Sequence, residues 1–168
     1  MNSFVLIAAI TAELTLNNMR AAAPHQQVVH YAAQACAEPN LNKQSVYVTL
    51  RQNGWEKDAG VWTVLRDFWI KKTDEVTVRV NVERTDNIDG TTVQICQFLS
   101  RDASVGEVFD YVSAKIGPPS FAPWNEEKQT AAWNLVFEDH QAGFFLSPGV
   151  GLEVIGKGVM IVTIQEVD

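Results

Sequence analysis

The chain has 168 residues, is 46% hydrophobic and 20% charged, and carries 13 Lys and Arg against 20 Asp and Glu, a formal net charge of −7. The apolar fraction excludes a disordered chain, and no apolar run reaches the roughly 18 residues of a membrane-spanning helix. The acidic balance argues against a general nucleic-acid binder, whose affinity rests on dense Lys and Arg, and the length suits one ordinary domain or two small ones.

The charge is uneven. Residues 1–72 hold seven basic and five acidic side chains, and residues 73–168 hold six basic and fifteen acidic ones, which implies two surfaces with different partners. Two cysteines, Cys36 and Cys96, lie far apart without metal-type spacing. Neither a disulfide scaffold nor a zinc site is expected, and both read as buried apolar residues.

Phe4–Ile10 is apolar, but no Lys or Arg precedes it and Glu13 follows closely. It reads as a buried first strand rather than a signal sequence, which leaves the cytoplasm as the expected compartment. Glu13–Leu16 supplies a second strand. Pro24 opens a helix over residues 25–37, with Val28, Tyr31, Ala32, Ala35 and Cys36 at helical spacing, and Pro39 and Asn40 end it. Ser45–Leu50 alternates as a strand, Asn53-Gly54 turns, and Val61–Leu65 forms another strand.

Val76–Val82 and Thr92–Phe98 alternate on either side of Asp86-Asn-Ile-Asp-Gly90, which predicts a β-hairpin. Ser104 or Asp102 then caps a helix with Val105, Val108, Phe109, Val112 and Ile116 on one face, stopped by Gly117-Pro118-Pro119. Ser120–Thr130 reads as a polar loop carrying Trp124. Trp133–Phe137 is a strand, Phe144–Pro148 a short extended piece, and Val159–Ile164 a final buried strand.

From residue 75 onward this order resembles the ubiquitin-like β-grasp superfamily. The residues concerned are Val105–Ile116 with Ser113-Ala-Lys-Ile116 before Pro118-Pro119, the strand Leu135-Val-Phe137, the Leu146-Ser147 step before Val150 and Leu152, and the closing strand Val159–Ile164. The resemblance implies an α+β fold, a mixed sheet packed on one helix over residues 75–168. Residues 1–74 repeat the element order as a second, divergent β-grasp unit, and a single larger α+β domain is the competing reading. Conjugated members of the superfamily end in Gly-Gly, whereas this chain ends Ile164-Gln-Glu-Val-Asp168. That departure speaks for an interaction module rather than a covalent modifier. A weaker resemblance is to the small ubiquitin-like domains that begin cytoskeletal scaffold proteins, which would add a cytoskeletal association. PB1-type relatives use a first-strand Lys, where this chain offers Arg79.

No catalytic constellation emerges. His25, His30 and Cys36 are five and six residues apart and share no helical face. His140 beside Glu138 and Asp139 reads as a solvated loop, Asp86–Gly90 lacks the calcium-loop ligand pattern, and the Gly149–Gly151 and Gly156–Gly158 pairs lack phosphate-loop spacing. No cofactor, metal, nucleic acid or membrane is expected. The expected activity is non-catalytic protein binding, through an apolar sheet face formed by Val136 with Met160, Ile161 or Val162, or along a strand edge, with Trp124 as a further anchor. The alternatives are a small-ligand binder or enzyme with a site between the halves, and a subunit of a larger assembly.

Overall fold

A computed structural model describes residues 22–36, 43–59, 68–86, 89–136, 141–149 and 158–167. The strands expected at 3–10, 13–16 and 61–65, together with Phe137, His140, Val150 and Leu152, lie outside the described residues. The described elements are helices α1 (Pro24–Cys36) and α2 (Lys43–Gln52), strands β1 (Glu56–Lys57), β2 (Trp69–Lys72), β3 (Thr77–Asp86) and β4 (Thr92–Ser100), helix α3 (Val105–Ile116), and strands β5 (Ala122–Asn125), β6 (Thr130–Val136), β7 (Gln141–Pro148) and β8 (Val159–Val167).

All eight strands join one sheet in the order β1-β2-β3-β4-β8-β7-β6-β5. Every ladder between them is antiparallel. The β-grasp expectation is therefore overturned: a mixed sheet needs a parallel pair, and three described helices replace one. The hairpin of β3 and β4 forms as expected, but α3 carries the chain from β4 to the far edge of the sheet. A meander through β5, β6 and β7 then returns β8 beside β4. Strands on both sides of residue 75 share this sheet, since β2 pairs with β3.

Period-two alternation forms the central hairpin: Val78, Val80 and Val82 of β3 are fully buried on one face. Gly90 takes φ 88° in its turn, and Asp89 Oδ1 accepts hydrogen bonds from Thr91 N at 3.0 Å and Thr91 Oγ1 at 2.7 Å. Helix α3 begins at a capping box. Ser104 Oγ accepts from Glu107 N at 3.3 Å, while Glu107 Oε2 accepts from Ser104 N at 3.1 Å. Asp102, the other candidate cap, instead accepts from Thr77 N at 2.7 Å and ties β3 to the start of α3. At the far end, Trp133 Nε1 donates to Gly117 O at 3.0 Å, locking β6 to the helix terminus.

Two local expectations are corrected. Ser45–Leu50 belongs to helix α2, not to a strand. Its alternation would place Val48 and Leu50 on one face, but Val48 is 50% exposed and Leu50 is 1% exposed. The helix turns Tyr47 toward Trp69, ring stacked on ring at 5.3 Å. A Schellman motif ends α2: Trp55 N donates to Leu50 O at 2.9 Å and Gly54 N to Arg51 O at 3.0 Å, with Gly54 at φ 76°. The supposed loop 120–130 contains strand β5, and its tight turn to β6 places Gln129 at φ 51°.

The three helices cover one face of the sheet. Val28, Val29, Tyr31 and Ala32 of α1, Leu50 of α2, and Val105, Val108 and Val112 of α3 share a core with Val78, Val80, Val82, Phe98, Trp133, Leu146 and Ile161. Cys96 also belongs to this core, but it is disulfide-bonded rather than a free thiol, against the sequence expectation.

Replacing Gly54 with Ala should destabilise the protein by about 1–2 kcal/mol in a denaturant titration, the cost of a left-handed non-glycine residue. The added Cβ would lie 3.8 Å from Lys71 Nζ, an ordinary contact, so backbone strain alone is expected. Ser104→Ala should cost about 1 kcal/mol at neutral pH. The Ser104 hydroxyl, followed by its backbone N–H, holds the Glu107 carboxyl below the usual carboxylate range. A carboxyl whose folded pKa is depressed contributes fully above its unfolded value and loses that contribution as pH falls through the folded one. The Ser104→Ala cost should thus shrink in acid; a cost independent of pH would contradict the capping box.

Candidate functional site

Antiparallel register assigns each side chain to a face, because directly paired residues point the same way. One row reads Trp69, Val80, Phe98, Ile161, Leu146 and Ala131 across β2, β3, β4, β8, β7 and β6. All six are buried in the helix-covered core or beside it. The intervening rows belong to the opposite face. One runs Ile70, Arg79, Leu99, Met160 and Ser147, the next Asn81, Gln97, Val162, Phe145 and Ala132, and a third Glu83, Ile95, Ile164, Gly143 and Asn134.

This second face carries a contiguous apolar surface formed by Leu99, Met160, Val162, Phe145, Ile95 and Ile164. All six side chains are half-buried, and none belongs to the core that the helices share. Gln97 Nε2 donates to Met160 Sδ at 3.0 Å, fixing the thioether within the patch. Phe145 is shaped by the residue two positions before it: a Cβ on Gly143 would lie 2.6 Å from the Phe145 ring. The missing side chain lets the ring settle onto the sheet. Phe121 meets that ring edge to face at 6.1 Å and is 70% exposed. The patch thus ends in an aromatic side chain that water surrounds.

Polar groups flank it. Arg79 Nε donates to Asp58 Oδ2 at 2.8 Å, joining β3 to the segment after β1. Ser120 Oγ accepts from Asn134 N at 2.9 Å and donates to Asn134 O at 3.3 Å. That exchange anchors the segment bearing Phe121 to β6.

The residues singled out from sequence separate clearly. Met160 and Val162 occupy the face opposite the described helices. Ile161 does not: it is fully buried in the core, because its strand alternates and its neighbours take the other side. Trp124 of β5 packs on helix α3, its ring stacked 4.4 Å from that of Phe109, and so lies with the helices rather than beside Met160 and Val162. The Val136 backbone pairs with Gln141 at the end of β6, and its side chain lies outside the described residues. Sequence reasoning missed Ile95, Leu99, Phe145 and Phe121. The signal was present in β4, where Val93, Ile95 and Leu99 occupy one alternation class while Cys96 and Phe98 occupy the other. A strand apolar on both sides meets apolar surroundings on both.

Other chemistry-bearing groups are engaged structurally. Lys71 donates through Nζ to Asn53 O, beyond the end of α2, and stands 5.3 Å from the centre of the Tyr31 ring. Burial pushes its ammonium pKa down. Arg51 lies 5.4 Å over Trp69, so two cations and their rings clamp α2 against β2 and α1. His25 packs edge-on to Tyr111 at 5.8 Å, and His30 is 3% exposed beside Tyr31. Among the described residues no group of three His, Cys, Asp or Glu side chains is placed to hold a metal ion. None of the described helices is long and apolar enough to cross a membrane. No family model, curated protein or solved structure matches the chain.

Proposed function

We propose that the protein is a non-catalytic protein-binding module that docks a partner on the sheet face opposite the described helices. The partner presents apolar side chains within a basic rim. The observation that carries this reading is the apolar surface of Leu99, Met160, Val162 and Phe145 ending in Phe121, which is 70% exposed. Contiguous apolar surface mainly marks interfaces, and aromatic side chains dominate their energetics.

Charge supports the choice of partner. Residues 73–168 supply strands β3 to β8 and hold fifteen acidic side chains against six basic ones. A basic rim would speed encounter and set orientation, while the apolar centre supplies affinity.

The face is favoured over the strand edges that also came into consideration. At one edge, β5 is four residues long, contains Pro123 and shifts register between Ala122 and Asn125. At the other, β1 is the two-residue pair Glu56–Lys57, both exposed. Short, charged, bulged and Pro-bearing strands resist pairing with another chain.

Phe121→Asp and Val162→Asp should each leave the far-UV circular dichroism spectrum intact. Each should lower retention of the partner captured by the wild-type protein at least about tenfold, the equivalent of about 1.4 kcal/mol. Raising salt should slow association while leaving the apolar contribution. Equal retention by wild type and both variants would remove this face from consideration.

A further inference from the structure

Cys96 occupies the middle of β4, and its register partners Val82 and Thr163 place it on the helix-covered face. It is 2% exposed and disulfide-bonded. The sequence contains one other cysteine, Cys36, which is the last residue of α1. Helix α1 packs against both β3 and β4, so it ends on the side of the sheet where Cys96 is found. A second protein chain would have to part the core to reach a sulfur this deeply buried. We propose that Cys36 and Cys96 form an intramolecular disulfide that clamps the end of α1 to the central strand, and that the chain matures where thiols are oxidised.

The chemistry is thiol–disulfide exchange with a disulfide oxidant, such as glutathione disulfide or the active-site disulfide of an oxidoreductase. One cysteine loses its proton to water, and its thiolate attacks an oxidant sulfur. A mixed disulfide forms as the oxidant's S–S bond breaks and one oxidant thiolate leaves. The second cysteine, likewise deprotonated, attacks the chain's own sulfur in that mixed disulfide. The Cys36–Cys96 bond forms, the second oxidant thiolate leaves, and both released thiolates take up protons. Two electrons pass from the chain to the oxidant.

Burial fixes the order of events. The core that encloses Cys96 contains Val28, Val29 and Ala32 of α1 beside Phe98 and Val82. Exchange therefore precedes or accompanies docking of α1, and the Cys96 sulfur of the folded chain is shielded from soluble reductants. The bond closes a loop of about 60 residues, and constraining a loop of that length in the unfolded chain favours the native state. Persistent structural disulfides belong to oxidising compartments and are rare in the cytosol. The proposed disulfide thus sets an oxidising compartment against the cytoplasm expected from sequence.

The test begins with wild-type protein refolded in a glutathione–glutathione disulfide mixture, then denatured without reductant and treated with a maleimide. No label should be incorporated, and proteolysis should release a Cys36–Cys96 linked peptide pair that dithiothreitol separates. Two labelled cysteines, or a linkage between two chains, would overturn the proposal, and neither readout depends on a variant folding. Wild-type protein refolded in dithiothreitol should melt about 5–10 °C lower than the oxidised protein, and the Cys36→Ser, Cys96→Ser double variant should melt at that lower temperature with or without reductant. The wild-type chain is also produced in the reducing cytosol and the oxidising periplasm of one bacterial host. The periplasmic protein should survive protease several-fold longer; equal lifetimes would overturn the inferred compartment.

Discussion

The β4–β8 ladder is the constraint on which the molecule depends. It runs the full length of β4, from the Thr92–Val167 pair to the Ser100–Val159 pair. It joins two four-stranded meanders, β1 to β4 and β5 to β8, into one sheet. Unjoined, each meander would expose a long strand with a row of unpaired backbone groups. Joined, they leave β1 and β5 as the marginal strands among the described residues. The ladder also fixes parity for the whole sheet. Pairing Phe98 with Ile161 commits Val80, Leu146 and Ala131 to the helix side, and commits Leu99, Met160, Val162 and Phe145 to the other. A one-residue slip would turn one meander over relative to the other, so that either Gln97 and Arg79 would face the helices with Phe98 exposed, or Met160 and Val162 would face them with Ile161 exposed.

What could be read from the sequence follows from the range of the interactions involved. The β3–β4 hairpin and α3 were legible because their signals are local: alternating valines, a glycine turn, and Ser104 three residues before Glu107. Helix α2 was not, because Val46, Val48 and Leu50 happen to alternate. Its helical state is chosen by contacts with Trp69, some twenty residues away in sequence. Strand β5 is short and proline-bearing, and it forms because β6 pairs with it. The topology was hidden for a deeper reason. A well-formed hairpin does not say which of its two strands will accept the last strand, and the element order on which the β-grasp reading rested does not fix that pairing. At the candidate site, apolar surface in the last strand was legible, but its parity was not. Ile161 therefore appeared among the binding residues although it is core. The disulfide at Cys96 was hidden because sequence separation gives no measure of distance across a fold.

The two sheet faces solve different problems. On the helix side, side chains from three helices interlock, and aromatic contacts such as Tyr47 on Trp69 and Phe109 on Trp124 set the helix positions. Polar groups buried there are tied to local backbone: Gln27 Nε2 donates to Ala22 O at 2.9 Å, and Ser100 Oγ donates to Thr77 O at 3.0 Å. On the opposite face, Met160 is held by Gln97 of the neighbouring strand and Arg79 by Asp58 beyond the end of β1.

Gly143 has a consequence out of proportion to its size. Glycine weakens a strand interior, since it has no side chain to pack and more freedom to lose. Here the vacant position is a mould for the Phe145 ring, which settles into the space a methyl group would fill. The relief of the surface, and with it the seat of Phe121, is thereby written in a residue that presents nothing to a visitor. On the proposed docking face, a substitution at position 143 would reshape the surface while every other side chain of the patch kept its identity.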